Sequence, residues 1–183
     1  MSIRLTKQII RSKILLKLKI HKEEDRERKN QAIENKLYKN SVFKKAKTVM
    51  FYLSFGGEVK TQKMIKAAQK LGKIVSVPTC QKNRMIFPCI LTQKAVFKIG
   101  SYGVCEPAAK NRLKIKDLDL VVVPGLAFDK KGNRLGRGRG CYDHFLKKLS
   151  DKVATIGLAY DFQVLPAIPT TKTDVSVDRV IFA

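Results

Sequence analysis

The apolar residues of this chain change their spacing at Thr48. Before it the period is helical. In residues 4–20 (RLTKQIIRSKILLKLKI) Leu and Ile recur near helical intervals, with Lys and Arg between them and no acid before Glu23, which predicts an N-terminal helix. Residues 22–40 are strongly charged with Ala32, Ile33 and Leu37 as an apolar stripe, predicting a second, exposed helix. From Thr48 onward short apolar runs alternate with amphipathic stretches. TVMFYLSF (48–55) reads as a strand, GGEVKT (56–61) as a glycine-opened turn, and TQKMIKAAQKLG (61–72) as a helix stopped by Gly72. KIVSVP (73–78) and RMIFPCIL (84–91) read as further strands. DLDLVVVPG (117–125) is the clearest one, because Leu and three Val in succession imply burial on both faces, as in a parallel sheet. A glycine-rich loop over 125–140 precedes a short helix at 141–149, and strands at 153–160 and 177–183 close the pattern. The alternation predicts an α/β fold: a single three-layer domain over residues 1–183, its mostly parallel central sheet flanked by helices and the N-terminal helical pair packed on it.

Composition narrows the classes. The 183 residues suit one domain, and 44% hydrophobic content with 11 Gly and 6 Pro excludes a disordered or fibrous chain. No apolar run reaches the roughly 18–20 residues of a spanning helix, so a membrane-integral protein is excluded and no membrane partner is expected. The basic N-terminal stretch lacks the small-residue cleavage site of a secretory signal and reads as a mature helix; an organellar presequence or a membrane-surface helix shares its acid-free pattern. The four Cys, at 80, 89, 105 and 141, form no C-x-x-C pair, so reduced thiols in a cytoplasmic compartment are expected. The 38 Lys+Arg against 15 Asp+Glu give a net charge of +23, which predicts attraction to polyanions or simply Lys spread over solvated faces. Trp is absent and aromatics are 8%, without the basic–aromatic interleaving of single-strand readers, so nucleic acid is expected only as a non-specific, salt-sensitive partner.

The chemistry concentrates in NRLGRGRGCYDHFL, Asn133 to Leu146. Gly136, Gly138 and Gly140 alternate with Arg137 and Arg139, directly after a buried strand and before a helix. Glycine permits positive φ, so successive N–H groups can turn toward one point and cradle an anion, with the helix start adding its own free N–H groups. Arg134, Arg137 and Arg139 supply guanidinium heads for phosphate oxygens. Asp143, in the first turn of the helix, is placed to hold Mg²⁺ beside them. By spacing alone the segment is neither the G-x-x-x-x-G-K-[ST] loop nor the G-x-G-x-x-G fingerprint, and a plain basic loop remains the competing reading.

The longer run PGLAFDKKGNRLGRGRGCYDHFL resembles the signature of the 5-formyltetrahydrofolate cyclo-ligase family. The likeness extends to Lys7-x-x-x-Arg11, YLSFGGEVKT (52–61), Glu106-Pro107 before a linker, and IGLAY with TDVSVD near the end. The resemblance implies ATP- and Mg²⁺-dependent cyclisation of 5-formyltetrahydrofolate to 5,10-methenyltetrahydrofolate, with polyglutamylated folate as a further candidate substrate; the sequence leaves the oligomeric state open, a monomer being the favoured expectation. By that resemblance Lys7, Arg11 and the run Arg134, Leu135, Gly136, Arg137, Gly138, Arg139, Gly140, Cys141 and Tyr142 hold ATP. Leu53, Glu58 and Arg137 to Cys141 face the folate, Asp143 and Asp174 serve the metal, and Arg137, Arg139 and Tyr142 act in catalysis. Arg139 stands where Lys is common, and three features depart from the pattern: Cys141 stands where Tyr is usual, His144 where Arg is frequent, and the turn after the first helix reads Ile20-His21-Lys22 where a Leu-Ser cap is usual. The alternatives from other classes are a folate- or nucleotide-binding paralogue without turnover and a basic RNA-binding protein.

Overall fold

The computed structural model describes residues 2–81, 83–92, 94–100, 105–108 and 111–183. Two long helices lead, α1 (Ile3–Ile20) and α2 (Glu23–Lys39), followed by the short α3 (Ser41–Lys45). Ser2 caps α1, its Oγ accepting the Leu5 N–H, and Asn40 caps α3, its Oδ1 accepting those of Val42 and Phe43. Then come β1 (Thr48–Met50), α4 (Gln62–Lys70), β2 (Ile74–Cys80), β3 (Ile86–Ile90), β4 (Phe97–Ile99) and β5 (Cys105–Pro107). The second half holds β6 (Leu120–Val123), β7 (Ala127–Asp129), β8 (Arg134–Leu135), α5 (Cys141–Leu146), β9 (Ala154–Ala159), β10 (Val164–Leu165) and β11 (Arg179–Phe182).

The central sheet has the order β11-β9-β6-β1-β2-β3, parallel throughout except for the antiparallel edge pair β2–β3. Its parallel centre is buried on both faces, as the Leu-Val-Val-Val run implied. Leu120 and Val122 join the core formed with Ile14 and Leu18 of α1, Ile33 and Leu37 of α2, and Met64 of α4; Val121 and Val123 join the opposite core with Phe145 and Leu146 of α5. The strand ends are pinned by carboxylates. Asp119 Oδ2 accepts the N–H groups of Lys47 and Thr48, each at 2.8 Å.

Several expectations are corrected. The run 48–55 is a strand only to Met50; Phe51 still donates its N–H to Ser76 O at 2.9 Å, but the chain beyond it leaves the ladder to form the loop that carries the site. The glycine-rich loop over 125–140 contains the β7–β8 hairpin, which with β10 makes a second small sheet. This hairpin is built around Asp129, whose buried carboxylate accepts the N–H groups of Lys131, Asn133 and Ile168 and the Asn133 side-chain amide, at 2.8–3.0 Å. The final helix ends at Leu146, and the ribbon β4–β5 was not foreseen. Part of the linker expected after Glu106–Pro107 lies outside the described residues.

Candidate functional site

One cavity of about 910 Å³ opens where the carboxyl ends of β1 and β6 meet α1 and the β8–α5 loop, the place where open α/β sheets bind ligands. Lys7, Arg11, Leu53, Glu58, the whole run Arg134 to Asp143, and Asp174 line it, so every site residue expected from the sequence is brought to one cavity. Eight cationic side chains face it against four carboxylates. The volume suits a ligand of drug size or larger.

Each wall is fixed by hydrogen bonds that explain the local folding. The loop after β1 is folded back by Tyr52, whose hydroxyl donates to Val59 O at 2.9 Å, and by Thr61 Oγ1, which donates to Tyr52 O at 2.6 Å. The α1 wall reaches the glycine loop through Arg11, whose Nε donates to Gly136 O at 2.9 Å. Beyond it Gly138 and Gly140 take φ of +100° and +70°, backbone that side-chain-bearing residues rarely adopt and that turns N–H groups toward an anion. A Cβ on Gly138 would also lie 3.5 Å from the Arg11 guanidinium carbon. Helix α5 has only six residues, so the helix-start contribution expected from the sequence is minor; the cradle rests on the glycine loop and the guanidinium groups.

The acidic residues are all engaged. Glu58 Oε1 accepts from Arg137 Nε and Nη2 at 3.3 and 3.2 Å, Oε2 accepts the Phe55 N–H, and the Phe55 ring lies 4.3 Å from the Arg137 guanidinium. Burial pushes the Glu58 carboxyl above its ordinary range, and Arg137 only partly offsets it. Arg134, almost wholly buried, donates through Nη2 to Asp143 Oδ1 at 2.8 Å, which also accepts the Val175 N–H. Lys7 Nζ meets Asp174 Oδ2 at 2.5 Å, joined there by the N–H and hydroxyl of Thr171. Burial opposes ionisation of Asp174, but these donors outweigh it and hold the carboxyl below its ordinary value. Both expected metal ligands therefore carry a cationic partner. Their hydrogen bonds fall on Oδ1 of Asp143 and Oδ2 of Asp174, leaving each a second oxygen; among the described residues no three His, Cys, Asp or Glu side chains form a metal cluster.

Tyr142 is a further polar group in the wall. Its hydroxyl is buried without a hydrogen-bond partner among the described residues, and burial, with the Glu58 charge, pushes its pKa far up, so it stays a proton donor. Cys80, whose N–H donates to Glu106 Oε1 at 2.8 Å, is likewise pushed up, to about 12, by burial and the neighbouring Cys141 thiol. Cys80 is therefore not a thiolate nucleophile at neutral pH. Arg4, Phe55, Arg84 and Thr171 line the cavity unforeseen. Their sequence contexts carry no motif; only Phe55, within the YLSFGGEVKT segment, lay beside a position already singled out.

Residues 4–183 match the model of the 5-formyltetrahydrofolate cyclo-ligase family. A mouse 5-formyltetrahydrofolate cyclo-ligase is 32% identical over 188 aligned positions, covering 96% of this chain and 93% of the relative. The Haemophilus influenzae cyclo-ligase is 36% identical over 144 positions, covering 75% and 76%. Among solved structures, the Aquifex aeolicus 5,10-methenyltetrahydrofolate synthetase superposes with a TM-score of 0.85 at 33% identity, over 96% of this chain and 89% of that one.

Proposed function

The chain belongs to the 5-formyltetrahydrofolate cyclo-ligase family, and we propose that it uses ATP to close 5-formyltetrahydrofolate into 5,10-methenyltetrahydrofolate, releasing ADP and phosphate. The observation that carries this reading is the convergence on one cavity of the Gly136–Gly140 loop, Lys7 and Arg11 from α1, and the buried Glu58. The chemistry needs no protein nucleophile. A formamide carbonyl is a poor electrophile because its nitrogen donates into it. Transfer of the γ-phosphoryl group to the formyl oxygen turns that oxygen into part of a leaving group. N10 of the folate then attacks the formyl carbon, its proton leaves, and the carbon–oxygen bond breaks to free phosphate.

Placement and charge stabilisation would supply most of the rate. Lys7, Arg11 and Arg134 to Tyr142 hold the triphosphate, with Arg137 and Arg139 meeting the charge that develops on the transferring group. Leu53 and Glu58 face the folate, and the carboxylate of Glu58 accepts from pterin N–H groups. Tyr142 donates its hydroxyl, which has no partner among the described residues, to substrate. The free oxygens of Asp143 and Asp174 suit Mg²⁺, which takes one or two carboxylates together with phosphate and water. When bound, the ion would neutralise triphosphate charge. The whole chain acts as one domain and as a monomer in the cytoplasm, polyglutamylated folate being a further substrate; no helix among the described residues is long and apolar enough to cross a membrane.

Mixing the protein with Mg-ATP and 5-formyltetrahydrofolate should produce the near-ultraviolet absorbance of the methenyl product, strictly dependent on ATP. Arg139→Ala should lower that rate about 100-fold. Absence of any ATP-dependent signal in the wild type would overturn the reading. Folate binding without turnover, repaired by Cys141→Tyr, would instead favour the paralogue that has lost its activity, since Cys141 lines the cavity where an aromatic side chain is usual.

A further inference from the structure

The outer face of α1 is a surface that the active site leaves unused. At about 100° per residue, Leu5, Ile9, Leu16 and Ile20 fall in one strip of the helix, on the side away from the buried Lys7, Ile14 and Leu18. They are 47%, 36%, 60% and 68% exposed. The strip covers about 22 Å of helix axis. Exposed lysines border it: Lys13 and Lys19 on the helix and Lys22 just past its end. None of the three has an acidic partner among the described ion pairs.

An aligned aliphatic strip is not what a solvent-facing helix surface requires. The choice of occupant follows from charge. A nucleic acid would engage the lysines and leave the four aliphatic side chains without contacts. A second copy laid along the strip would bring Lys13 and Lys19 of both helices together with no acid to meet them. Helix α1 holds Arg4, Lys7, Arg11, Lys13, Lys17 and Lys19 and no Asp or Glu. A lipid surface rich in anionic headgroups satisfies both halves of the strip at once, the aliphatics entering the headgroup–acyl boundary and the lysines meeting phosphates. The net charge of +23 draws the whole molecule the same way.

We propose that α1 lays its Leu5–Ile9–Leu16–Ile20 strip on membranes rich in anionic lipid. Lys7 and Arg11 project from the opposite side of the same helix into the cavity, so the docked protein keeps its site open.

The test is co-sedimentation with vesicles of phosphatidylcholine mixed with phosphatidylglycerol, against pure phosphatidylcholine. The wild type should bind only the mixed vesicles. The double variant Leu16→Gln with Ile20→Gln keeps every charge and should bind about tenfold more weakly or worse. Lys13→Gln with Lys19→Gln should lose roughly fivefold per lysine. All positions are exposed, so circular dichroism melting curves should match the wild type. Because the chain has no Trp, Leu16→Trp gives a single reporter whose emission should shift to the blue on mixed vesicles. Unchanged binding of the Leu16→Gln/Ile20→Gln variant, or no blue shift, would mean adsorption by overall charge and would overturn the proposal. So would failure of the wild type to bind, or a wild-type dimer or RNA complex that this variant alone abolishes.

Discussion

Asp143 closes the pair with the buried Arg134 through Oδ1, which also accepts the Val175 N–H; under the proposed function its other oxygen would serve the metal. Asp143→Ala should therefore cost stability as well as turnover: an almost wholly buried guanidinium losing its carboxylate costs about 3 kcal/mol, or ~6–12 °C in Tm for a chain this long. Asp143→Asn keeps an oxygen for Arg134 and should melt within a few degrees of the wild type while turnover falls about 100-fold. Equal losses of turnover and Tm across both variants would assign the residue to structure alone. Asp129 carries a purely structural task. Burial opposes its ionisation, but the Asn133 side chain and three N–H groups hold its carboxyl below the ordinary value. A carboxyl whose pKa is depressed by folding stabilises fully above its unfolded pKa, about 3.9, and that contribution is lost as pH falls through the folded value. Asp129→Asn should lower stability by about 3 kcal/mol at pH 7 and flatten the acid limb of the stability curve below about pH 4; a parallel acid limb in denaturant titrations would refute this.

The β7–β8 hairpin shows what an element asks of its neighbours. Phe128 is fully buried, and its ring lodges between Gly125 and Gly157: a Cβ added at either glycine would come within 2.5 Å of a ring carbon. Gly157 lies in the middle of β9, where glycine is otherwise unfavourable. Gly157→Ala should overpack this seam and cost about 2 kcal/mol, read as a drop of ~4–8 °C in Tm; a companion Phe128→Leu change should recover part of it, and a lack of coupling between the two would count against the seam. None of this was legible in the sequence. The parallel strands were, because Leu120 to Val123 must bury both faces, and the glycine loop was, because its Gly–Arg alternation is unusual anywhere. The short pairs were not: Arg134 and Leu135 form a strand only because Asp129 turns the chain back, a contact between residues whose spacing advertises nothing. The site behaves likewise. Motif positions were found, but Phe55 under Arg137 and Thr171 beside Asp174 arrive through tertiary packing, Thr171 with no local signal and Phe55 with only its place in YLSFGGEVKT.

At the scale of the whole molecule the excess of Lys and Arg becomes a field. The four carboxylates that line the cavity are each hydrogen-bonded to protein donors, and eight cationic groups surround them. A concave wall with an excess of positive groups focuses potential into the opening, while exposed lysines elsewhere add a diffuse background. Substrates bearing several negative charges should be gathered faster and held more tightly at low salt. For ATP, kcat/KM should fall about tenfold as salt rises from a dilute buffer to above physiological strength, with kcat nearly constant, because screening acts on capture and not on the chemistry inside the cleft. Focusing and background are separable. Arg84 and Lys147 are exposed and line the cavity, whereas Lys39 and Lys45 lie on α2 and α3, outside its lining. Arg84→Gln with Lys147→Gln should reduce the salt slope more than Lys39→Gln with Lys45→Gln, although both remove the same charge. Equal slopes would mean that only the total charge matters and that the cavity does not focus it.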